Sequence, residues 1–270
     1  MGIGGKYQIF VGGNFPSVTS PTPFSQSNYH GATAASRGKI LRLSASADSV
    51  LSVLNLGERV DKMEVQNFGT YRIAAGGSFG VSVFDSLAQN LLWHIPSAEL
   101  PGTVGEKIML DIDDQGSVAV LRSKRFRLYN AAGQALSAPT LLNKSFVNDI
   151  TVKNDTVFVT GFQNDFLGGP PTGCGENGNL PVQVSFVFAY KKPANPLDEL
   201  EVIFTTYNFK GSECGLDQAD TRGYRINVGK DGKVYFLGEA AGGNSIFRWN
   251  GKTNIELNGC TNPPSTLIQF

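Results

Sequence analysis

Five short stretches of this chain share one cadence: a run of apolar or β-branched residues closing on small residues or glycine, a polar turn, then a second run with an aromatic. They read Gln8-Ile9-Phe10-Val11-Gly12, Arg72-Ile73-Ala74-Ala75-Gly76, Val118-Ala119-Val120-Leu121-Arg122, Val157-Phe158-Val159-Thr160-Gly161 and Val234-Tyr235-Phe236-Leu237-Gly238. One small sheet built on such strands cannot bury both faces, so a chain that repeats the unit must stack each sheet on the next. Abundant glycine, at 32 residues, with 18 Phe and 8 Tyr, favours strands and tight turns over helices.

Each repeat divides into four strands. The second runs from Lys62 to Val65, Tyr71 to Phe79, Val81 to Asp85 and Leu91 to Ile95; the third from Ile108 to Asp111, Val118 to Arg122, Phe126 to Tyr129 and weakly from Leu136 to Leu142. The fourth takes Asp149 to Val152, Val157 to Val159, Phe186 to Tyr190 and Glu201 to Thr205, and the fifth Tyr224 to Val228, Val234 to Gly238, Ser245 to Trp249 and Asn254 to Leu257. The first repeat begins at Tyr7 to Phe15 and lacks a strand before it, while Ser265 to Phe270 is a spare apolar segment at the other end. The pattern predicts an all-β, five-bladed β-propeller whose first blade is completed by the C-terminal strand, which removes an unpaired edge. Residues 1–5 read as a start appended for expression, and residues 6–270 as one domain.

The turns between first and second strands carry their own chemistry. Asp113-Asp114-Gln115-Gly116, Lys153-Asn154-Asp155 and Lys230-Asp231-Gly232 put Asn, Asp or Gly where a tight hairpin demands a positive φ or an Asx turn. Asp111, Asp113 and Asp114 invite a calcium reading, but an EF-hand loop needs further oxygen ligands and a terminal Glu that this segment lacks. No cofactor or metal is expected.

Lys plus Arg and Asp plus Glu stand at 23 each, so no net field draws the chain to nucleic acid. No apolar run reaches the roughly 18 residues that would read as membrane insertion. Cys174 and Cys214 lie in polar, glycine-rich loops, where a disulfide between them is the favoured reading, with Cys260 able to replace either. Such a bond places the protein outside the cell or at its surface, with the periplasm as an alternative.

Asp149-Ile150-Thr151-Val152 followed by Val157 to Gly161 resembles the short β-propeller repeats of bacterial surface and secreted proteins. Val11-Gly12-Gly13-Asn14-Phe15 and Ala75-Gly76-Gly77-Ser78-Phe79 are similar to the GGxF element of related repeats. The resemblance implies an exported display or binding scaffold without a shared catalytic motif.

Loop lengths are unequal. In a four-stranded blade the second-to-third loops and the connections between blades emerge on one side, and here that side carries the long segments 16–38, 163–182 and 207–222. The candidate ligand contacts on them are Asn28, Tyr29, His30, Asp165, Phe166, Glu176, Asn177, Glu213, Asp217, Gln218 and Asp220, a set of polar acceptors and aromatic platforms. The expected activity is recognition of a surface glycan or a protein, with the chain standing alone or within a longer protein or assembly. Two alternatives stay open. Glu64, Asp111 and Asp149 could serve a carbohydrate-active hydrolase, or the domain could be a structural module of a surface protein or filament. No catalytic residue is assigned, because no nucleophile elbow surrounds any Ser and His94 has no evident partner.

Overall fold

The computed structural model describes residues 2–4, 8–66, 70–163, 184–208, 221–229, 231–240, 243–247 and 268–269. The chain is all-β over these residues apart from one 3-10 turn, and its strands form five sheets. The first contains β1 (Gly2–Gly4), β2 (Gln8–Asn14), β3 (Ser25–Asn28), β4 (Gly38–Leu43) and β5 (Val50–Gly57), in the order β1-β2-β4-β5-β3. The second is β6 (Val60–Val65), β7 (Ile73–Gly77), β8 (Gly80–Phe84) and β9 (Leu91–Pro96); the third is β10 (Ile108–Ile112), β11 (Val118–Arg122), β12 (Arg125–Tyr129) and β13 (Thr140–Leu141). The fourth is β14 (Phe146–Lys153), β15 (Thr156–Gln163), β16 (Val184–Lys191) and β17 (Glu201–Asn208). The fifth joins β18 (Thr221–Val228), β19 (Lys233–Ala240) and β20 (Gly243–Phe247), with β21 (Ile268–Gln269) also on β19.

The chain divides into two compact units, one of residues 1–141, 152–155 and 192–200, the other of 142–151, 156–191 and 201–270. In the first unit the side chains of β7 show how sheets stack. Ile73 and Ala75 join Phe10, Ile40, Leu54 and Phe84 in one core cluster, whereas Ala74 between them joins Val81, Val83, Ile108, Leu110 and Val120 in the next. Period-two alternation therefore gives each face of the second sheet to a different neighbour, which is why the strand is apolar throughout. A fully buried Val, Ile, Leu or Phe in such a cluster stabilises the fold by about 1.5–3 kcal/mol. In the second unit Phe158, Val187 and Ala189 pack on Ile226, Val234 and Phe236 in the same manner.

The GGxF element has a steric origin. A Cβ on Gly76 would lie 2.6 Å from Ile108 and 2.9 Å from Leu110, so glycine lets the third sheet close on the second. A Cβ on its neighbour Gly77 would run into the Arg59 carbonyl oxygen and lie 2.8 Å from the Phe79 ring, so no side chain fits there.

The hairpins follow the sequence chemistry. Asp113 Oδ1 accepts the amides of Gln115 and Ser117, both at 2.9 Å, and Gly116 takes φ 83°. Asn154 and Asp155 both hold positive φ, at 48° and 63°, the geometry of a two-residue hairpin.

Strand closure differs from the expectation. Gly2–Gly4 lies beside β2, pairing Gly2 with Phe10 and Gly4 with Gln8. The C-terminal pair Ile268 and Gln269 extends the fifth sheet instead, against Val234 and Lys233. The physical reason is that an edge is extended by backbone pairing, which a short Gly-Ile-Gly segment supplies without an apolar run; residues 2–4 form a strand of the first sheet.

The 16–38 insertion is also not a free loop. Val18 and Phe24 cover Leu41, Val50 and Val53 on the first sheet, Ser25–Asn28 pair in parallel with Ser52–Asn55, and Phe15 and Arg37 close the base through a 2.7 Å backbone bond.

Candidate functional site

Two of the three carboxylates considered for hydrolysis, Asp111 and Asp149, tie strands together, and Asp61 does the same. Asp61 Oδ2 accepts the amide of Ile108 at 3.1 Å, Asp111 Oδ2 that of Val152 at 2.9 Å and Asp149 Oδ2 that of Ile226 at 3.1 Å. Asn14 Oδ1 does the same for Val60 at 2.9 Å. Each reaches from one sheet to the first strand of the next, and a charged acceptor makes the bond stronger than a neutral one. Glu64 instead pairs with Lys62 at 2.7 Å on its own strand. Asp113 and Asp114 have separate duties as well, the first in its turn and the second in an ion pair with Lys153, so the three carboxylates of the calcium reading are directed to different partners. Burial pushes the Asp113 carboxyl above the usual range, with its turn amides pulling back.

The described residues bring together one cluster that has chemistry to spare. The chain's two histidines, 64 residues apart, stack with ring centroids 3.7 Å apart and planes at 23°. Ser82 Oγ lies 2.9 Å from His30 Nε2 and 3.0 Å from His94 Nδ1, and His94 Nδ1 is also 3.2 Å from the Val81 carbonyl. Phe79 stacks on His30 at 5.5 Å with planes at 7°.

Each member is placed by local sequence. His94 lies on β9 directly across from Ser82 of β8 in the antiparallel register. His30 arrives from β3 through a turn in which it takes φ 54° and Gly31 φ 76°. Tyr29 locks that turn: its amide donates to the Asn55 carbonyl at 2.9 Å, its ring meets Phe84 edge-on at 5.2 Å, and its hydroxyl donates to the Gln89 carbonyl at 2.8 Å. Gln89 is fixed in turn by Asp85, whose Oδ1 accepts its amide at 2.8 Å. Burial first, and the Asp85 charge second, hold the Tyr29 phenol above its ordinary pKa.

Burial and the neighbouring ring lower the His30 pKa to about 4. His94 is lowered too, by burial above all, against the Val81 carbonyl and the Glu99 carboxylate, which favour its proton. Both imidazoles are therefore neutral near pH 7. Ser82 has no exposed surface, so the hydroxyl between two imidazoles is not a nucleophile presented to a substrate.

The rest of the insertion is anchored by a buried lysine. Lys39, 2% exposed, directs Nζ at the Ala34 carbonyl, the Ser36 carbonyl and Asn55 Oδ1. Three acceptors match the three hydrogens of an ammonium, which satisfies the charge where it is buried. Asn55 Nδ2 then donates to Asn28 Oδ1 at 2.8 Å.

Of the sequence-chosen contacts, Tyr29 and His30 lie in this cluster and Asn28 bonds to Asn55 beside it. Asp165, Phe166, Glu176, Asn177, Glu213, Asp217, Gln218 and Asp220 lie outside the described residues, as do Cys174, Cys214 and Cys260 with their disulfide. Phe79, Ser82, His94 and Lys39 were not foreseen in the site. The available signal was the scarcity of histidine, since two residues of a rare type each sit beside an aromatic, Tyr29 and Trp93.

No protein-family model matches the sequence, and comparison with curated proteins finds no match. Among solved structures, the chain is similar to the β-propeller domain of Cps50 (Swd1) from Myceliophteria thermophila, at 10% identity and TM-score 0.43 over 81% of this chain and 68% of that one. It is also similar to a chain of the mitotic checkpoint complex, at 12% identity and TM-score 0.37 over 92% and 86%, and to the computationally designed Ika4 protein, at 11% identity and TM-score 0.37 over 70% and 89%.

Proposed function

We propose that this chain is a recognition module of propeller type, with no reaction of its own, that binds a protein partner along the fourth strands of its sheets. The observation that carries this reading is the outer edge of the second sheet, where Leu91 and Leu92 of β9 are 36% and 45% exposed. They follow closely on Gln89, whose carbonyl receives the Tyr29 hydroxyl, and β3, exposed at all four residues, supplies hydrogen-bonding side chains from the neighbouring sheet. Aliphatic pairs with a polar rim suit a protein surface, whereas a glycan asks for flat aromatic platforms and convergent acceptors.

The hydrolase reading loses its support, because Asp111 and Asp149 hold backbone amides and Glu64 is paired along its strand. Placement at a cell surface, the closing of five sheets into a ring and the binding roles of segments 163–182 and 207–222 belong to the same proposal, resting on loop length and cysteine context. An assembly role is a second reading, favoured by β17, where consecutive Val202 and Ile203 are 60% and 50% exposed on a strand at the sheet edge.

The test is site-specific photocrosslinking in the native host from residues 27 and 92, with residue 115 in a first-to-second-strand turn as control. A protein adduct from the first two positions and none from the third is expected. Equal labelling from all three, or adducts only with glycan, would overturn the reading.

A further inference from the structure

We propose that His30, Ser82 and His94 form an acid-operated latch that holds residues 25–31 against the second sheet and lets them go as the pH falls below neutrality. The inference concerns what opens the segment and does not depend on which partner the module binds.

Proton bookkeeping comes first. The Val81 carbonyl can only accept, so His94 Nδ1, 3.2 Å away, carries a hydrogen. Ser82 Oγ accepts from that same N–H, which leaves its own hydrogen to be donated to His30 Nε2, and that nitrogen must be bare. The arrangement runs in one direction: His94 donates to Ser82, and Ser82 donates to His30. It requires a neutral His30, whereas His94 can donate through Nδ1 in either protonation state.

A proton added to His30 goes onto Nε2, the nitrogen that accepts from Ser82. The Ser82 hydrogen then loses its acceptor in a position with no exposed surface, and a cation faces a second imidazole at 3.7 Å. Few charges intervene. His94 opposes the proton on His30, Glu99 favours one on His94 from the 3-10 turn, and Asp85 acts on Tyr29 beyond them. The uncharged Phe79 ring also stacks on His30. Burial is the largest influence on both histidines and disfavours the charged form.

The sign follows. A released imidazole titrates near its ordinary value of about 6.5, whereas latched His30 does so at about 4. Between these values the open form binds more protons, so closure is complete above the upper value and weakens as pH falls toward the lower. Tyr29, through Asn55, Phe84 and Gln89, and Asn28, through Asn55, also hold the segment, so the latch acts alongside these contacts. No side chain of β3 is buried, its parallel pairing involves four residues, and the Lys39 anchor grips Ala34 and Ser36 beyond the released stretch. What opens is the edge of β5, along Ser52 to Asn55.

Hydrogen exchange of residues 25–31 on the whole protein, corrected for the intrinsic rate at each pH, tests this. Lowering pH from 7.5 to 5 is expected to raise their opening on the order of tenfold, after discounting for solvent screening of a half-exposed group, while residues 118–122 stay unchanged. His30→Gln and His30→Phe, the second keeping a ring against Phe79, should each abolish the pH dependence. A wild-type segment that opens equally at both pH values, or the same dependence retained in both variants, would overturn the latch. An NMR titration of folded His30 near its ordinary value would do so too.

Discussion

The first strands β6, β10 and β14 and the fourth strands β9, β13 and β17 differ in what holds them. A side chain of the preceding sheet reaches the first strands in each case: Asn14 to Val60, Asp61 to Ile108 and Asp111 to Val152. Among the described residues the fourth strands show one comparable tie, Thr140 Oγ1 of β13 accepting the amide of Leu200, just before β17, at 2.9 Å. β13 has two residues with Leu141 exposed, β9 exposes Leu91 and Leu92, and β17 exposes Val202 and Ile203 over an eight-residue strand. Only in the first sheet, among the described residues, is the edge beyond the fourth strand taken by a further strand, β3. A repeated side of a repeat protein is fixed by stacking, whereas its variable side is free to take on function or to need protection.

The comparison breaks most easily at Arg122, on the second strand of the third sheet. Its guanidinium, 1% exposed, donates to the carbonyls of Ser97, Leu100, Pro101 and Gly102 and to Ser97 Oγ, tying down the connection that precedes β10. Arg122→Met should cost more than about 3 kcal/mol, because four carbonyls lose a charged donor together. Chemical denaturation reads this out; a loss below about 1 kcal/mol would mean that water replaces the arginine and that the connection is not a fixed part of the scaffold.

How much of this was legible follows the same division. Val118–Arg122 and the turn at Asp113 could be read because apolar runs and Asx chemistry are local. The ties could not: Asp111 and Asp149 look the same in sequence whether they meet a substrate or an amide 41 or 77 residues away. His30 and His94 meet through a turn with positive φ that nothing nearby announces except Gly31. Residues 16–38 cover an edge and a face of the first sheet, through β3 and through Val18 and Phe24, a task that loop length alone does not announce.

A smaller effect sharpens the reading of the ties. Asp149→Ala removes the acceptor of a buried amide and should destabilise by about 1–3 kcal/mol, while Asp149→Asn, which keeps a carbonyl oxygen for Ile226, should cost distinctly less. Thermal unfolding of the pair separates a structural carboxylate from a catalytic one. If Asn and Ala were equally harmless to stability, Asp149 would be free for chemistry and the hydrolase would return.

The smallest change in stability belongs on the fourth strands. Ile203 is 50% exposed beside Val202 at 60%, and β17 presents its outer edge beyond the pairing with β16. An exposed apolar edge strand is where another chain can add, and lysine there opposes such pairing by desolvation and charge. Ile203→Lys should therefore shift stability by no more than about 0.5 kcal/mol while reducing self-association measured by sedimentation across a concentration series. Should Ile203→Lys instead unfold the protein like Arg122→Met, β17 would be packed as firmly as the first strands, and the division between a stacked side and an available side would fail at its most exposed strand.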